Sequence, residues 1–239
     1  MKKSIVLATA VASVLSSGVA LAELSANASV TSNYIWRGVT QTNDAAAVQG
    51  GIDWGHDSGL YAGTWLSNVA FGNSVGAGYE MDLYVGFAGD LGGFGYDLGV
   101  ASYQYPLAPS TSFTEAYITG TASIVTVGLW YTVDAASGNE NNAFDSGDMY
   151  VSASLDFPVA KTDMSIYAGS YMFDADGTGT DKAGELDYAH VGASISKDGF
   201  TFAVDKNDVE ATNAFFALAG DGSDDNVRFS VSYAVDFEL

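Results

Sequence analysis

Val227-Arg-Phe-Ser-Val-Ser-Tyr-Ala-Val-Asp-Phe-Glu-Leu239 closes the chain. Every second residue gives Val227, Phe229, Val231, Tyr233, Val235, Phe237 and Leu239. Between them stand Arg228, Ser230, Ser232, Ala234, Asp236 and Glu238. A strand points successive side chains to opposite faces, so this segment has one apolar face and one polar face. That pattern suits the closing strand of an outer-membrane barrel, whose outer side meets lipid and whose inner side meets water.

The other end of the chain predicts the same compartment. Lys2 and Lys3 precede a short apolar core, Ile5 to Leu15, and Ala20-Leu21-Ala22 makes a small-residue cleavage site. An apolar run this short does not cross a hydrocarbon layer of about 30 Å as a helix. The expectation is a signal peptide over residues 1–22, removed after Ala22, and one barrel domain over residues 23–239. The leader carries two of the eight basic residues and none of the 29 acidic ones, which leaves six against 29, a net charge of −23. A surface this acidic repels nucleic acid. No cysteine is present to staple a secreted chain, so a hydrogen-bonded framework must hold it. Twenty-eight glycines against three prolines fit strands joined by tight turns.

Alternation marks out about twelve strands. The first runs from Leu24 to Tyr34, the second from Ala46 to Trp54. The third, Leu60 to Val69, and the ninth, Met164 to Phe173, are apolar on both faces. In between, Met81, Leu83, Val85 and Phe87 oppose Glu80, Asp82, Tyr84 and Gly86, and similar rhythms continue to the closing strand. Connections alternate short and long, as periplasmic turns and extracellular loops do. The fold class expected is all-β, a transmembrane antiparallel up-and-down barrel, in the bacterial outer membrane and monomeric. Its partners are outer-membrane lipid and, during biogenesis, periplasmic chaperones and the barrel-assembly machinery. A secreted β-sandwich also alternates. Strands near ten residues long favour the barrel, as do aromatics at both strand ends: Phe94, Phe200 and Phe237 at one rim, Tyr34, Trp36, Tyr131 and Phe173 at the other. Basic residues are expected to avoid the outward positions.

Two segments carry a family resemblance. Ser25-Ala-Asn-Ala-Ser-Val-Thr-Ser-Asn-Tyr-Ile-Trp-Arg-Gly-Val-Thr-Gln-Thr42 resembles the amino-terminal signature of the Gcw_chp family of bacterial outer-membrane proteins. Gly50-Gly-Ile-Asp-Trp-Gly-His-Asp-Ser-Gly-Leu-Tyr-Ala-Gly-Thr-Trp-Leu-Ser-Asn-Val69 resembles its second block. The likeness is sharp over about the first third of the chain. It implies an outer-membrane barrel and brings no activity with it. Leu239 departs from the terminal phenylalanine common in such barrels, while Phe237 and Tyr233 keep the rest of that pattern.

The inward faces are where function must be sought. Glu80, Asp82, Glu115, Asp148, Asp187 and Asp205 are expected towards the outer mouth, and Asp53, Asp97, Asp156, Asp236 and Glu238 towards the periplasm, with Arg228 the single inward base. Carboxylate rings in a wet passage attract cations. Tyr84, Tyr117, Trp130, Tyr150 and Tyr167 fall on middle inward positions, where they either plug the lumen or line a narrow track. The reading is a narrow passive channel favouring cations or small neutral solutes. The alternative is a non-conducting barrel, structural or presenting acidic loops for surface interaction. An outer-membrane hydrolase is the weaker alternative, because His56 and His190 have no serine nucleophile arranged with them. No cofactor is expected. Asp174, Asp176 and Asp181 form a weak calcium-loop candidate that lacks the terminal glutamate of a true EF-hand loop.

Overall fold

The structure is a computed structural model that describes residues 23–70, 78–136, 144–174, 187–209 and 227–239. Its strands are β1 (Glu23–Thr31), β2 (Ile35–Trp36), β3 (Val39–Thr40), β4 (Ala47–Gly55), β5 (Leu60–Asn68), β6 (Tyr79–Asp90) and β7 (Phe94–Gln104). They continue with β8 (Phe113–Ala122), β9 (Val125–Ala135), β10 (Met149–Val159), β11 (Thr162–Met172), β12 (Tyr188–Lys197), β13 (Phe200–Asn207) and β14 (Arg228–Glu238). Each long strand pairs with its sequence neighbours, β1 bridges β4 and β14, and the sheet closes into a twelve-stranded antiparallel transmembrane barrel. β2 and β3 stand apart as a hairpin of their own.

The pleat explains why this sequence closes. Outward positions are apolar and exposed all round the wall: Val48, Ile52, Leu83, Val85, Leu98, Ile118, Val127, Leu129, Ile166, Val191, Phe202 and Val231 among them. The closing strand aligns its apolar face with those of its neighbours, with Ala26 opposite Phe237 and Val30 opposite Tyr233 on β1, and Phe202 opposite Val231 on β13. Closure leaves no sheet edge to satisfy, which is what a hydrocarbon surround requires. The two strands with apolar residues on both faces resolve in the same way. β5 turns Tyr61 and Trp65 inward, β11 turns Tyr167 and Tyr171 inward, and Leu60, Leu66 and Ile166 stay outside.

The short connections gather at one end, where both strand termini of the barrel also lie. Between β12 and β13, Asp198 and Gly199 take φ of 51° and 85°, a two-residue turn whose twist matches the flanking strands. The longer connections gather at the opposite, loop end. The buried core lies inside the barrel in that half, built from Tyr34, Trp36, Val39, Tyr103, Phe113, Tyr150, Tyr171 and Tyr188.

Three expectations need correction. The first strand stops at Thr31 instead of Tyr34, because Ser32–Ala46 turns back into the barrel as a loop carrying β2 and β3. Tyr34, Trp36 and Phe173 are therefore buried in the lumen, not set in a rim girdle; Tyr131 alone of that group faces out. Lys206 lies on the outer face of β13, opposite Val191, so basic residues do not wholly avoid that surface. Its position one residue from the end of β13 lets a long stem reach the polar rim.

Leu129 sits midway along β9 between Ile118 and Val151. Leu129→Arg should cost about 2–4 kcal/mol, against at most about 1 kcal/mol for Val159→Arg at the turn end. Urea unfolding in lipid vesicles measures both, and equal costs would mean that the belt does not face hydrocarbon.

Candidate functional site: a hairpin seated in the lumen

The site begins with a local turn. Ile35–Trp36 and Val39–Thr40 pair as two short strands, and the residues between them, Arg37 and Gly38, both have positive φ, 48° and 80°. That is the geometry of a primed hairpin turn, which glycine tolerates freely and arginine only at a cost. The loop supports itself. Thr40 donates its hydroxyl to the Asn33 side-chain oxygen (2.7 Å), the Gln41 amide donates to the Tyr34 carbonyl (2.7 Å), and the Tyr34 amide donates to the Thr42 hydroxyl (3.1 Å). Its polar residues are thus hydrogen-bonded within the loop, and Thr40, Gln41 and Thr42 are buried.

The hairpin tip then reaches across the lumen. Arg37, 5 % exposed, donates through both terminal nitrogens to the two oxygens of Glu115, at 2.8 and 2.6 Å. Its guanidinium carbon lies 4.1 Å from the centre of the Tyr150 ring, 4.2 Å from Trp36, 5.1 Å from Tyr171 and 5.5 Å from Trp130. A bidentate pair walled by aromatic faces is a strong way to hold a guanidinium out of water. A β-bulge between Thr114 and Glu115 aims the acceptor: Glu115 pairs with Thr132 while Thr114 pairs with Asp134. Below the tip, Asn207 donates to the Gly38 carbonyl at 2.8 Å. Tyr150 and His190 share a 2.7 Å hydrogen bond, and a Cβ on Gly38 would overlap the His190 side chain. Tyr34 donates to Glu80 (3.3 Å), and Arg228 on β14 ties Asp44 of the same loop at 3.3 Å.

The acidic residues divide into two settings. At the loop end Glu80, Asp82 and Glu115 are buried against the hairpin, so they do not form the water-filled ring expected there. The loop that covers them, Ser32–Ala46, begins within the expected first strand and runs to the expected second. Asp205 accepts from Tyr167 at 2.7 Å, and the exposed Asp187 accepts from the Phe173 amide at 2.8 Å. Towards the turn end the interior is half-buried and polar. Asp53 accepts from Tyr84 and from Asn27 (3.1 Å), Asp97 accepts from Tyr61 (2.6 Å), and Asp156 accepts from Ser154 (2.6 Å). Tyr61 also bonds Tyr117, and Asp236 is exposed. Tyr84, Tyr117, Trp130, Tyr150 and Tyr167 all point inward, joined by Tyr61, Trp65, Tyr103, Phe113, Tyr171 and Tyr188.

Arg37 is the residue that sequence reasoning missed. It falls between the first two expected strands, and its partner is 78 positions away. A faint signal exists: Ile35-Trp36 and Val39-Thr40 flank a two-residue turn ending in glycine, which is hairpin grammar.

The remaining candidates separate cleanly. His56 lies in an exposed turn, where its Nδ1 meets the Ser58 hydroxyl at 2.9 Å and accepts from the Ser58 amide at 3.1 Å. That is a turn brace two residues long. His190 meets a tyrosine, not a serine. Asp174 is exposed beside Gly147, while Asp176 and Asp181 lie outside the described residues. Among the described residues no group of three or more acidic, histidine or cysteine side chains could hold a metal ion.

Asp148, just before β10, accepts from the amides of Asp145 (2.9 Å) and Asp174 (2.8 Å) and so pins two loops. Burial pushes its carboxyl up to about 7, against the pull of those two amides. A folded-state value above the unfolded one means that the fold binds the proton more tightly. The penalty for ionising Asp148 is therefore fully present above pH 7 and is relieved as pH falls from about 7 towards 4. Thermal unfolding in detergent should show stability rising over that window, and Asp148→Asn should flatten the rise.

Against solved structures the barrel resembles the NanC porin, at 11 % identity and TM-score 0.51, over 90 % of this chain and 100 % of that one. The KdgM porin follows at 10 % identity and TM-score 0.48, over 90 % and 99 %. OprD of Pseudomonas aeruginosa is matched at 12 % identity and TM-score 0.40, over 91 % of this chain and 67 % of that one. These likenesses concern the fold. Comparison with curated proteins finds no sequence match. A family model described as "Bacterial protein of unknown function (Gcw_chp)" matches residues 16–235, and the chain belongs to that family.

Proposed function

We propose that the protein is a narrow passive channel of the bacterial outer membrane, favouring cations or small neutral solutes, with the β2–β3 hairpin closing its loop end in the state described. One observation carries this reading. Between the hairpin and the turn end, the lumen is lined by tyrosine hydroxyls bonded to carboxylates, not by an interlocked apolar core. A barrel kept only for wall integrity has no need of such a lining, since side chains could fill it as in smaller barrels. Asp53, Asp97, Asp156, Asp236 and Glu238 face that space, and one sign of charge in a confined passage sets selectivity. The apolar belt supports an outer-membrane setting, reached after removal of residues 1–22 and with the help of periplasmic chaperones and the assembly machinery, as a monomer. His190 meets a tyrosine, and the Ser58 hydroxyl beside His56 is part of an exposed two-residue turn brace, which supports a non-enzymatic role.

A second reading, the non-conducting barrel, is favoured by the buried hairpin itself. Planar-bilayer recordings in a salt gradient separate the two. The channel reading expects discrete openings with a reversal potential of the sign for cations, and it falls if the current is absent or anion-selective.

A further inference from the structure

Arg37 is held by a receptor that the barrel wall makes without it. Glu115 comes from β8, Trp130 from β9, Tyr150 from β10 and Tyr171 from β11, four consecutive strands of one wall. The two oxygens of Glu115 match the fork of a guanidinium, and three rings surround its charge. Tyr171 steadies the acceptor by donating to Glu115 at 3.3 Å. All four groups belong to the rigid sheet; the guanidinium comes from a loop. Glu80 and Asp82 are buried close by, and Asp82 interacts with both Glu80 and Glu115. Glu80 Oε2, both oxygens of Asp82 and the Thr132 hydroxyl have no hydrogen-bond partner among the described residues. The hairpin therefore does not engage every polar atom at this level of the wall.

We propose that this box is a binding site for guanidinium-bearing or alkylammonium solutes, which Arg37 occupies in cis. A planar cation that can donate a fork of two hydrogen bonds to one carboxylate and stack on tyrosine or tryptophan is the ligand the walls fit, and a primary ammonium is a weaker version of it. An arginine tethered to the same barrel competes at an effective concentration of the order of millimolar or more. A solute must therefore displace the hairpin to bind, and binding opens the loop end. The opening step rests on the channel reading above; the binding step does not.

The test is calorimetric titration of the folded barrel in detergent with methylguanidinium, and with butylammonium, at constant ionic strength set by sodium chloride. Arg37→Ala vacates the box and should bind methylguanidinium at least ten-fold more tightly than the wild type. Adding Glu115→Gln to that variant should remove at least ten-fold of the affinity. Asn207→Ala loosens the hairpin without touching the box, and should bind several-fold more tightly than the wild type; it decides the matter if Arg37→Ala does not fold. No binding to Arg37→Ala, binding that ignores Glu115→Gln, or no gain in Asn207→Ala overturns the proposal. Bilayer recordings keep the two readings apart. A barrel that binds methylguanidinium but passes no current defeats the channel and leaves the box standing. One that conducts without binding defeats the box alone.

Discussion

Arg37→Ala is expected to destabilise the barrel by about 3–5 kcal/mol, because it leaves Glu115 as an uncompensated charge in a buried setting. Glu115 is fully buried, and Arg37 is the cation that it pairs with. Thermal unfolding in detergent, or heat-modified mobility in gels, reads the loss directly. The double variant Arg37→Ala, Glu115→Gln should recover much of it, since removing both halves of a buried pair costs far less than removing one. A double-mutant cycle that comes out additive would mean that the pair does not seat the hairpin. In bilayers the single variant should conduct more than the wild type. Arg37→Lys should fall between the two, for an ammonium keeps the charge but loses the bidentate fork and the flat face that lies against Tyr150.

Gly38→Val is the second large effect, and it acts through shape alone. At φ 80° a branched residue pays a backbone penalty of about 1–3 kcal/mol. Its Cβ must also enter space held by the His190 side chain, and overpacking of that kind adds about 1–3 kcal/mol. His190 cannot swing away freely, because Tyr150 holds its Nε2. The hairpin is the more movable partner, so it should leave its seat. Gly93→Val is the control: φ there is 95°, and nothing lies within 4 Å of the added Cβ. The excess loss in Gly38→Val over Gly93→Val measures the wall that His190 presents. Equal losses would show that the tip has room to spare.

The outer surface of this barrel could be read directly from the chain, while its interior could not, and the reason is physical. Hydrocarbon accepts one kind of side chain, so Val227 to Leu239 and its sister strands spell the outward face residue by residue. The lumen accepts water, a packed ring or a folded-in loop, and the same tyrosine suits all three. The heights of the acidic residues are inferred from strand direction; Asp53, Asp97 and Asp156 sit half-buried towards the turn ends of their strands. Glu80, Asp82 and Glu115 also lie at the expected level but are sealed under the hairpin. Nothing local announces that seal. Thr40, Gln41 and Thr42 look solvated in sequence because their partners, Asn33 and Tyr34 among them, are invisible without the turn at Arg37 and Gly38. Side chains assigned to one rim also misled: Trp36 and Phe173 have the aromatic character of an interfacial belt, and only the inward path of the backbone distinguishes a belt from a stopper.

The seat of the hairpin has a consequence for the order of events in biogenesis. Arg37 is made early, yet Glu115 follows 78 positions later, and Asn207 lies 169 positions beyond Gly38, which it bonds. The stopper must wait in hand until β13, the eleventh of the twelve wall strands, has been threaded and curled around it. An arrested, half-built cylinder therefore has its cork dangling, and any leak this protein imposes on the cell should come from unfinished copies more than from finished ones.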